Sequence, residues 1–165
     1  TAAIAVKTAR EFNVLLTANP KPQTVHYLTG APFVQLNQSE TEHAAALAGI
    51  EVVHREGEPF PDEIGEQLRK MLELENLVVT KGSKGLTIFS DNDKKEHVAP
   101  HLVEVYDVAG AGDTVISALT LALSCGATPR EAGIIANRAA ACVVRKVGVA
   151  TVTSAEIINE WESQV

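Results

Sequence analysis

Val105-Tyr106-Asp107-Val108-Ala109-Gly110-Ala111-Gly112-Asp113-Thr114 is the stretch that decides the fold. Its apolar residues 105–108 predict a short strand, and the run after Gly112 predicts an apolar helix reaching about Cys125. Two glycines between them let the backbone turn sharply and leave no side chain above it, so the first amides of the helix point at open space. A helix N-terminus of that kind favours a phosphate or an oxyanion. Asp113 stands in the first turn. A carboxylate beside bound phosphate has a use when it takes the proton of an attacking hydroxyl while N–H groups steady the transferring group. The plainer reading is a capped helix start, because Asp caps helices well. Gly-Ala-Gly-Asp alone leaves both open. Two better-known phosphate motifs are excluded by inspection. Val115 occupies the third-glycine position of a dinucleotide fingerprint begun at Gly110, and no G-x-x-x-x-G-K-[ST] string exists in the chain.

Beyond this corner, a turn at Thr128-Pro129 opens a long Ala-rich helix from Arg130 to about Lys146, apolar almost all round and hence expected to be buried. A loop over 147–151 leads to a last helix from Ser154 to about Ser163. Before the corner, residues 86–90 alternate, turn at Asp91-Asn92-Asp93 and return through 97–100, which predicts a hairpin. Residues 77–80 read as a strand buried on both faces and run into the loop 81–85. Residues 62–75 form an amphipathic surface helix with Ile64, Leu68, Met71 and Leu72 on its apolar face, preceded by a loop over 57–61. Pro32 to Leu36 is a strand, and Asn37-Gln38-Ser39-Glu40 begins a helix with Ser39 as its cap. Residues 1–13 are helical with Asn13 at the C-cap; a short strand at 14–16 and a turn-rich loop at 18–22 follow. Strands alternating with helices predict an open α/β sheet whose ligands sit outside the strands' carboxyl ends, where the loops 37–40, 80–85 and 109–113 collect.

Composition narrows the function classes. The 165 residues suffice for one domain or part of one, and 45% hydrophobic with 21% charged residues is ordinary for a soluble globular protein. A net charge of −7 argues against general nucleic-acid binding. With only Trp161, Tyr27, Tyr106 and four Phe, the chain offers no base-stacking platform. Its longest apolar helix is too short to span a bilayer, so no membrane partner is predicted. Cys125 and Cys142 read as small buried hydrophobes of a reducing, cytoplasmic compartment rather than as a disulfide or metal pair. The five His, at 26, 43, 54, 97 and 101, have no ligand spacing and read as surface or loop residues.

Residues 107–114 resemble the second signature of the ribokinase-like (PfkB) carbohydrate kinases, and the spacing of the other loops is similar over nearly the whole chain. Within that family, residues 77–86, 105–118 and 148–156 look most like the heptose-7-phosphate kinase domain of the bifunctional enzymes that make ADP-heptose for lipopolysaccharide. The resemblance implies a ribokinase-like open, mostly parallel sheet with helices on both faces. Residues 1–165 would be a single partial domain, the N-terminal part of the fold and its lid being absent. It implies ATP-dependent transfer of a phosphoryl group to a sugar or sugar-phosphate hydroxyl, with ribose, fructose, nucleoside or vitamin acceptors as alternatives. A nucleotide-binding fragment without activity of its own is the other alternative.

Carried over by residue, the resemblance makes Asp113 the catalytic base and gives the anion hole to Gly110, Ala111 and Gly112. Asn37 would contact ATP phosphates and Glu40 would act near Mg²⁺ through water; an Asn turn followed by a surface Glu fits the same residues. Thr80, Gly82, Ser83, Lys84 and Gly85 would pass along the triphosphate, although a plain hairpin start with solvated Lys81 and Lys84 fits too. Asn137 would contact the nucleotide, or is a satisfied core amide. Asp107, Ala109, Val143, Lys146 and Gly148 match a loop that holds a monovalent cation, K⁺, in several members, while Asp107 also reads as a turn residue. Three departures stand out: Ala109 replaces the usual Thr, Leu36 replaces a common Pro, and Asn19-Pro20-Lys21-Pro22 replaces Asp-Pro-Lys-Gly. A sheet cut short leaves an open strand edge, so the isolated chain is expected to self-associate into a homo-oligomer or to be poorly stable.

Overall fold

Aliphatic strands build the centre of the molecule. The computed structural model describes residues 1–52, 60–92 and 94–162; most of the expected loop at 57–61, His54, Asp93 and Ser163 lie outside them. Five strands follow sequence order across one sheet: β1 (Thr17–Ala18), β2 (Phe33–Asn37), β3 (Asn76–Thr80), β4 (Leu86–Ser90) and β5 (Lys95–Val98). The first three are parallel and the last two join antiparallel, so β4 alone runs against the others. Asn37 pairs with Thr80, which brings both to one carboxyl edge of the sheet.

Successive side chains point to opposite faces of a strand, and different helices cover each face. On one side Val34, Leu36, Leu77, Val79 and Phe89 pack against α1 (Ala2–Phe12), α2 (Gln38–Leu47) and α3 (Asp62–Met71), through residues such as Val6, Ala44, Ile64 and Leu68. On the other, Val78, Leu86 and Ile88 meet Val115 and Leu119 of α4 (Ala111–Ser124) and Ala132 and Ala136 of α5 (Pro129–Val144). Leu36, Leu77, Ile88 and Leu119 are fully buried, each stabilising the fold by roughly 1.5–3 kcal/mol relative to exposure. The last helix, α6 (Ser154–Glu162), buries no residue. It is held by polar contacts, with the Arg138 guanidinium 4.1 Å from the Trp161 ring centroid and donating to the Glu160 carbonyl at 2.8 Å.

Several expectations are corrected. Residues 105–108 form no strand: Val105, Tyr106 and Val108 are exposed, and the Tyr106 and Asp107 amides both donate to the Val144 carbonyl at the end of α5, so no strand neighbours them. The strand expected at 14–16 lies at Thr17–Ala18, because Val14 N–H is taken by Ala9 O in the turn that ends α1. β4 is buried at all five positions despite its alternation. Its polar members are satisfied inside, Ser90 Oγ donating to Asn76 Oδ1 at 2.8 Å. α3 stops at Met71, which is exposed, and it buries Ile64, Gly65, Leu68 and Arg69, more than a surface helix would. The burial expected of α5 is found: Ala132, Gly133, Ala136, Ala139, Ala141, Cys142 and Val143 are buried, and no residue from 132 to 144 is exposed. Cys142 is buried as expected, but Cys125 is exposed at the end of α4.

Candidate active site

The carboxyl edge of β1–β3, the turn after β3 and the mouth of α4 surround one open cleft of about 490 Å³. At the α4 mouth, Gly110 is the N-cap with φ 77°, in the left-handed region that favours glycine, and no side chain caps the helix. The Ala111 amide donates to Val108 O at 3.2 Å; among the described residues, those of Gly112 and Asp113 donate to no backbone carbonyl. Of the expected anion-hole amides, that of Ala111 is thus taken within the turn. A Cβ on Gly112 would meet nothing within 4 Å. Asp113 is exposed and lines the cleft together with Gly110, Ala111 and Gly112.

The α2 mouth also opens on the cleft, with Asn37 and Glu40 in its lining. Here the helix is closed by its own side chains. Asn37 Oδ1 accepts the Glu40 amide at 2.8 Å while Glu40 Oε2 accepts the Asn37 amide at 3.0 Å, a reciprocal capping box. Asn37, not Ser39, is the cap, because it ends β2 in the extended conformation (φ −84°, ψ 172°) an N-cap requires. The other oxygen of Glu40, Oε1, lies 3.6 Å from Lys21 Nζ.

Of the turn after β3, Thr80, Gly82, Ser83 and Gly85 line the cleft, and Lys84 is exposed outside it. Lys81 is not a solvated charge. Its Nζ is 2.6 Å from Asp62 Oδ1 and 5.1 Å from the Phe60 ring centroid. Burial alone would raise the Asp62 pKa, but hydrogen bonds from Lys81 and Lys95 outweigh it and hold the carboxylate below its ordinary value. Gly85 is glycine for a packing reason, since at φ 79° an added Cβ would stand 2.2 Å from the Val98 carbonyl.

The sequence-derived site lacked four polar side chains of the cleft, Asn19, Lys21, Gln35 and His101, and its apolar lining. Gln35 is 1% exposed, and its amide donates to Thr80 Oγ1 at 3.4 Å and accepts from Asn19 Nδ2. The signal was an amide inside the apolar run Phe33-Val34-Gln35-Leu36. The facing wall is apolar, formed by Leu102, Val105, Val108, Ala140, Ala141 and Val144. Asn137 stands in that wall and donates to Ala99 O at 3.0 Å, so its amide is satisfied by fastening the segment after β5 to α5. His101 is not a surface residue. Its side chain is 8% exposed, lines the cleft and places Nε2 2.7 Å from Glu160 Oε1, and that hydrogen bond lowers the Glu160 pKa.

Beside the cleft, Asp107 Oδ1 accepts the Ala109 amide and Oδ2 the Gly148 amide, both at 2.9 Å. These bonds hold the Asp107 carboxyl below its ordinary value. The Val143 carbonyl accepts the Lys146 amide at 2.9 Å, and Lys146 Nζ is tied to Thr151 O and Glu156 Oε1. Asp107, Ala109, Val143, Lys146 and Gly148 are thus drawn into one loop cluster. Carbonyl and carboxylate oxygens are ligands a hard monovalent cation accepts, while the Lys146 ammonium is turned to Glu156. Among the described residues no three His, Cys, Asp or Glu converge to hold a metal ion. No described helix is long and apolar enough to cross a membrane.

An open sheet whose strand ends share a cleft with a glycine-opened helix mouth is an arrangement that can receive an anionic ligand. The chain belongs to the pfkB family of carbohydrate kinases, whose model matches residues 1–156. It is 38% identical over 153 residues to the bifunctional protein HldE of Nitrosococcus oceani and 40% over 157 residues to that of Chromohalobacter salexigens. These matches cover 90% and 92% of this chain but only 30% of each relative. Its fold is similar to that of Thermotoga maritima ribokinase (TM-score 0.76, 24% identity, 96% of this chain and 52% of that one). Escherichia coli phosphofructokinase-2, solved with potassium, is similar too (TM-score 0.81, 15% identity, 98% and 51%).

Proposed function

We propose that the cleft binds ATP and that this chain carries the nucleotide and catalytic-base side of phosphoryl transfer to a sugar or sugar-phosphate hydroxyl. The observation that carries the reading is Asp113, exposed in the uncapped mouth of α4 and facing the same cleft as the ends of β2 and β3. The acceptor oxygen attacks the γ-phosphorus, its proton passes to an Asp113 carboxylate oxygen, and the bond to the β–γ bridging oxygen breaks to release ADP. The Gly112 and Asp113 amides, next to Gly110 and Ala111, hold the equatorial oxygens as charge builds. Thr80, Gly82 and Ser83 border the triphosphate, and the apolar wall with Asn137 takes the base. Mg²⁺, when bound, would neutralise phosphate charge. Glu40 would hold it through water. The Asp107–Gly148 cluster is the place for K⁺.

The resemblance of residues 77–86, 105–118 and 148–156 to heptose-7-phosphate kinase domains supports heptose 7-phosphate as acceptor, in the making of ADP-heptose. A second reading, a nucleotide-binding module without transfer, is favoured by one observation: the chain spans 30% of the HldE relatives and about half of the solved kinases. The sheet ends at β1 and β5, and an open strand edge supports self-association. Asp113→Asn tests the main reading. Turnover should fall by roughly 10²–10⁴-fold with ATP affinity by calorimetry within about twofold. Near-normal turnover would overturn the role of Asp113, and wild-type ATP binding without any transfer would select the module.

A further inference from the structure

We infer that Lys21, in the Asn19-Pro20-Lys21-Pro22 loop after β1, is the side-chain cation that meets the terminal phosphate of the bound nucleotide. This rests on the cleft being an ATP site. Among the described residues Lys21 is the only Lys or Arg in the cleft lining, which also holds the carboxylates of Glu40 and Asp113. The other basic residues near the strand ends are committed elsewhere or absent from the lining: Lys81 is paired with Asp62, and Lys84 is not in the lining. A triphosphate entering between two carboxylates therefore finds one side-chain positive charge.

The backbone is built to present it. Prolines on both sides fix φ at 20 and 22 and hold the residues before them extended, and Lys21 has φ −75° and ψ 150°. Its carbonyl accepts both the amide and the hydroxyl of Thr24, at 2.9 and 3.0 Å. The backbone is thus anchored while the side chain stays in solvent: it is 77% exposed, and its ion pair with Glu40 is long at 3.6 Å. Such a pair contributes little to stability and is readily exchanged for a charge-assisted bond to phosphate. A lysine suits the task as a mobile point charge on a four-carbon stem. It acts here as a binding residue and transfers no proton.

The test is calorimetry of the 165-residue chain and its Lys21→Met and Lys21→Arg variants with ATP, ADP and AMP, alongside thermal melts. Lys21→Met should bind ATP roughly tenfold more weakly, with ADP changed less, AMP unchanged, and melting unmoved; Lys21→Arg should restore most of the ATP affinity. Equal affinity losses for all three nucleotides, or none, would overturn the proposal while leaving the ATP site standing. A defect only in the KM of a phosphorylated acceptor would also overturn it, by assigning the lysine to the other substrate. Should the wild-type chain bind no ATP, the reading of the cleft itself falls.

Discussion

Two helices open on the same cleft, and they open differently. α2 begins with a capping box, Asn37 and Glu40 closing its first amides, whereas α4 begins with Gly110 and has no side-chain cap. α5, away from the strand ends, is closed in the manner of α2, by Thr128 and Glu131. In all three helices an acidic residue stands three positions after the N-cap: Glu40, Asp113 and Glu131. In α2 and α5 it folds back onto the N-cap amide. In α4 the N-cap has no side chain to answer it, and the carboxylate is left facing the cleft. A position that elsewhere stabilises a helix is here left available for chemistry, and glycine at the N-cap costs only about a few tenths of a kcal/mol of capping energy.

Substitutions can break or sharpen that contrast. The largest stability effect is expected at Gly110→Ala, since φ 77° disfavours a Cβ and Val149 Cγ1 stands 3.4 Å away. A loss of about 1–2 kcal/mol in denaturant unfolding would show that the open mouth depends on glycine, and no loss would remove that dependence. Asn37→Ala and Thr128→Ala should each cost about 1 kcal/mol as lost caps. Only the first should also weaken ATP binding, so equal ATP affinities would reduce Asn37 to a cap. Gly112→Ala should leave stability unchanged or raise it by up to about 1 kcal/mol, because its Cβ meets open space, yet weaken nucleotide binding by filling that space. The smallest effect concerns pH. Hydrogen bonds from Lys146 and Thr153 lower the Glu156 pKa from 4.5 to about 2, so its stabilising contribution is complete above about pH 4.5 and is lost as pH falls towards 2. Melting temperature should decline over that window, less steeply in Glu156→Gln.

The sequence made the α4 corner legible because glycines at a turn and an apolar run after it have few other uses. β3, the β4–β5 hairpin and the two long helices were readable for the same reason, as periodicity and turn residues agreed. What failed depended on neighbours. Residues 105–108 have the composition of a strand but no strand beside them, and their amides go to Val144. Thr87 and Ser90 gave β4 an amphipathic pattern, yet their partners His97 and Asn76 lie on adjacent strands, so the polar positions could be buried. Lys81 reads as a loop charge until α3 brings Asp62 to it. Lys21 and Gln35 reach the cleft only through the register of β1 and β2, which no local pattern specifies.

The most direct measurement follows the backbone amides of the 15N-labelled chain by NMR during titration with ATP and, separately, AMP. The open mouth of α4 predicts large shifts at Gly112 and Asp113 with ATP and little change there with AMP, with the capped amides of α5 unmoved. Shifts that spare Gly112 and Asp113 while saturating elsewhere, for example around Asp62 and Lys95, would contradict it.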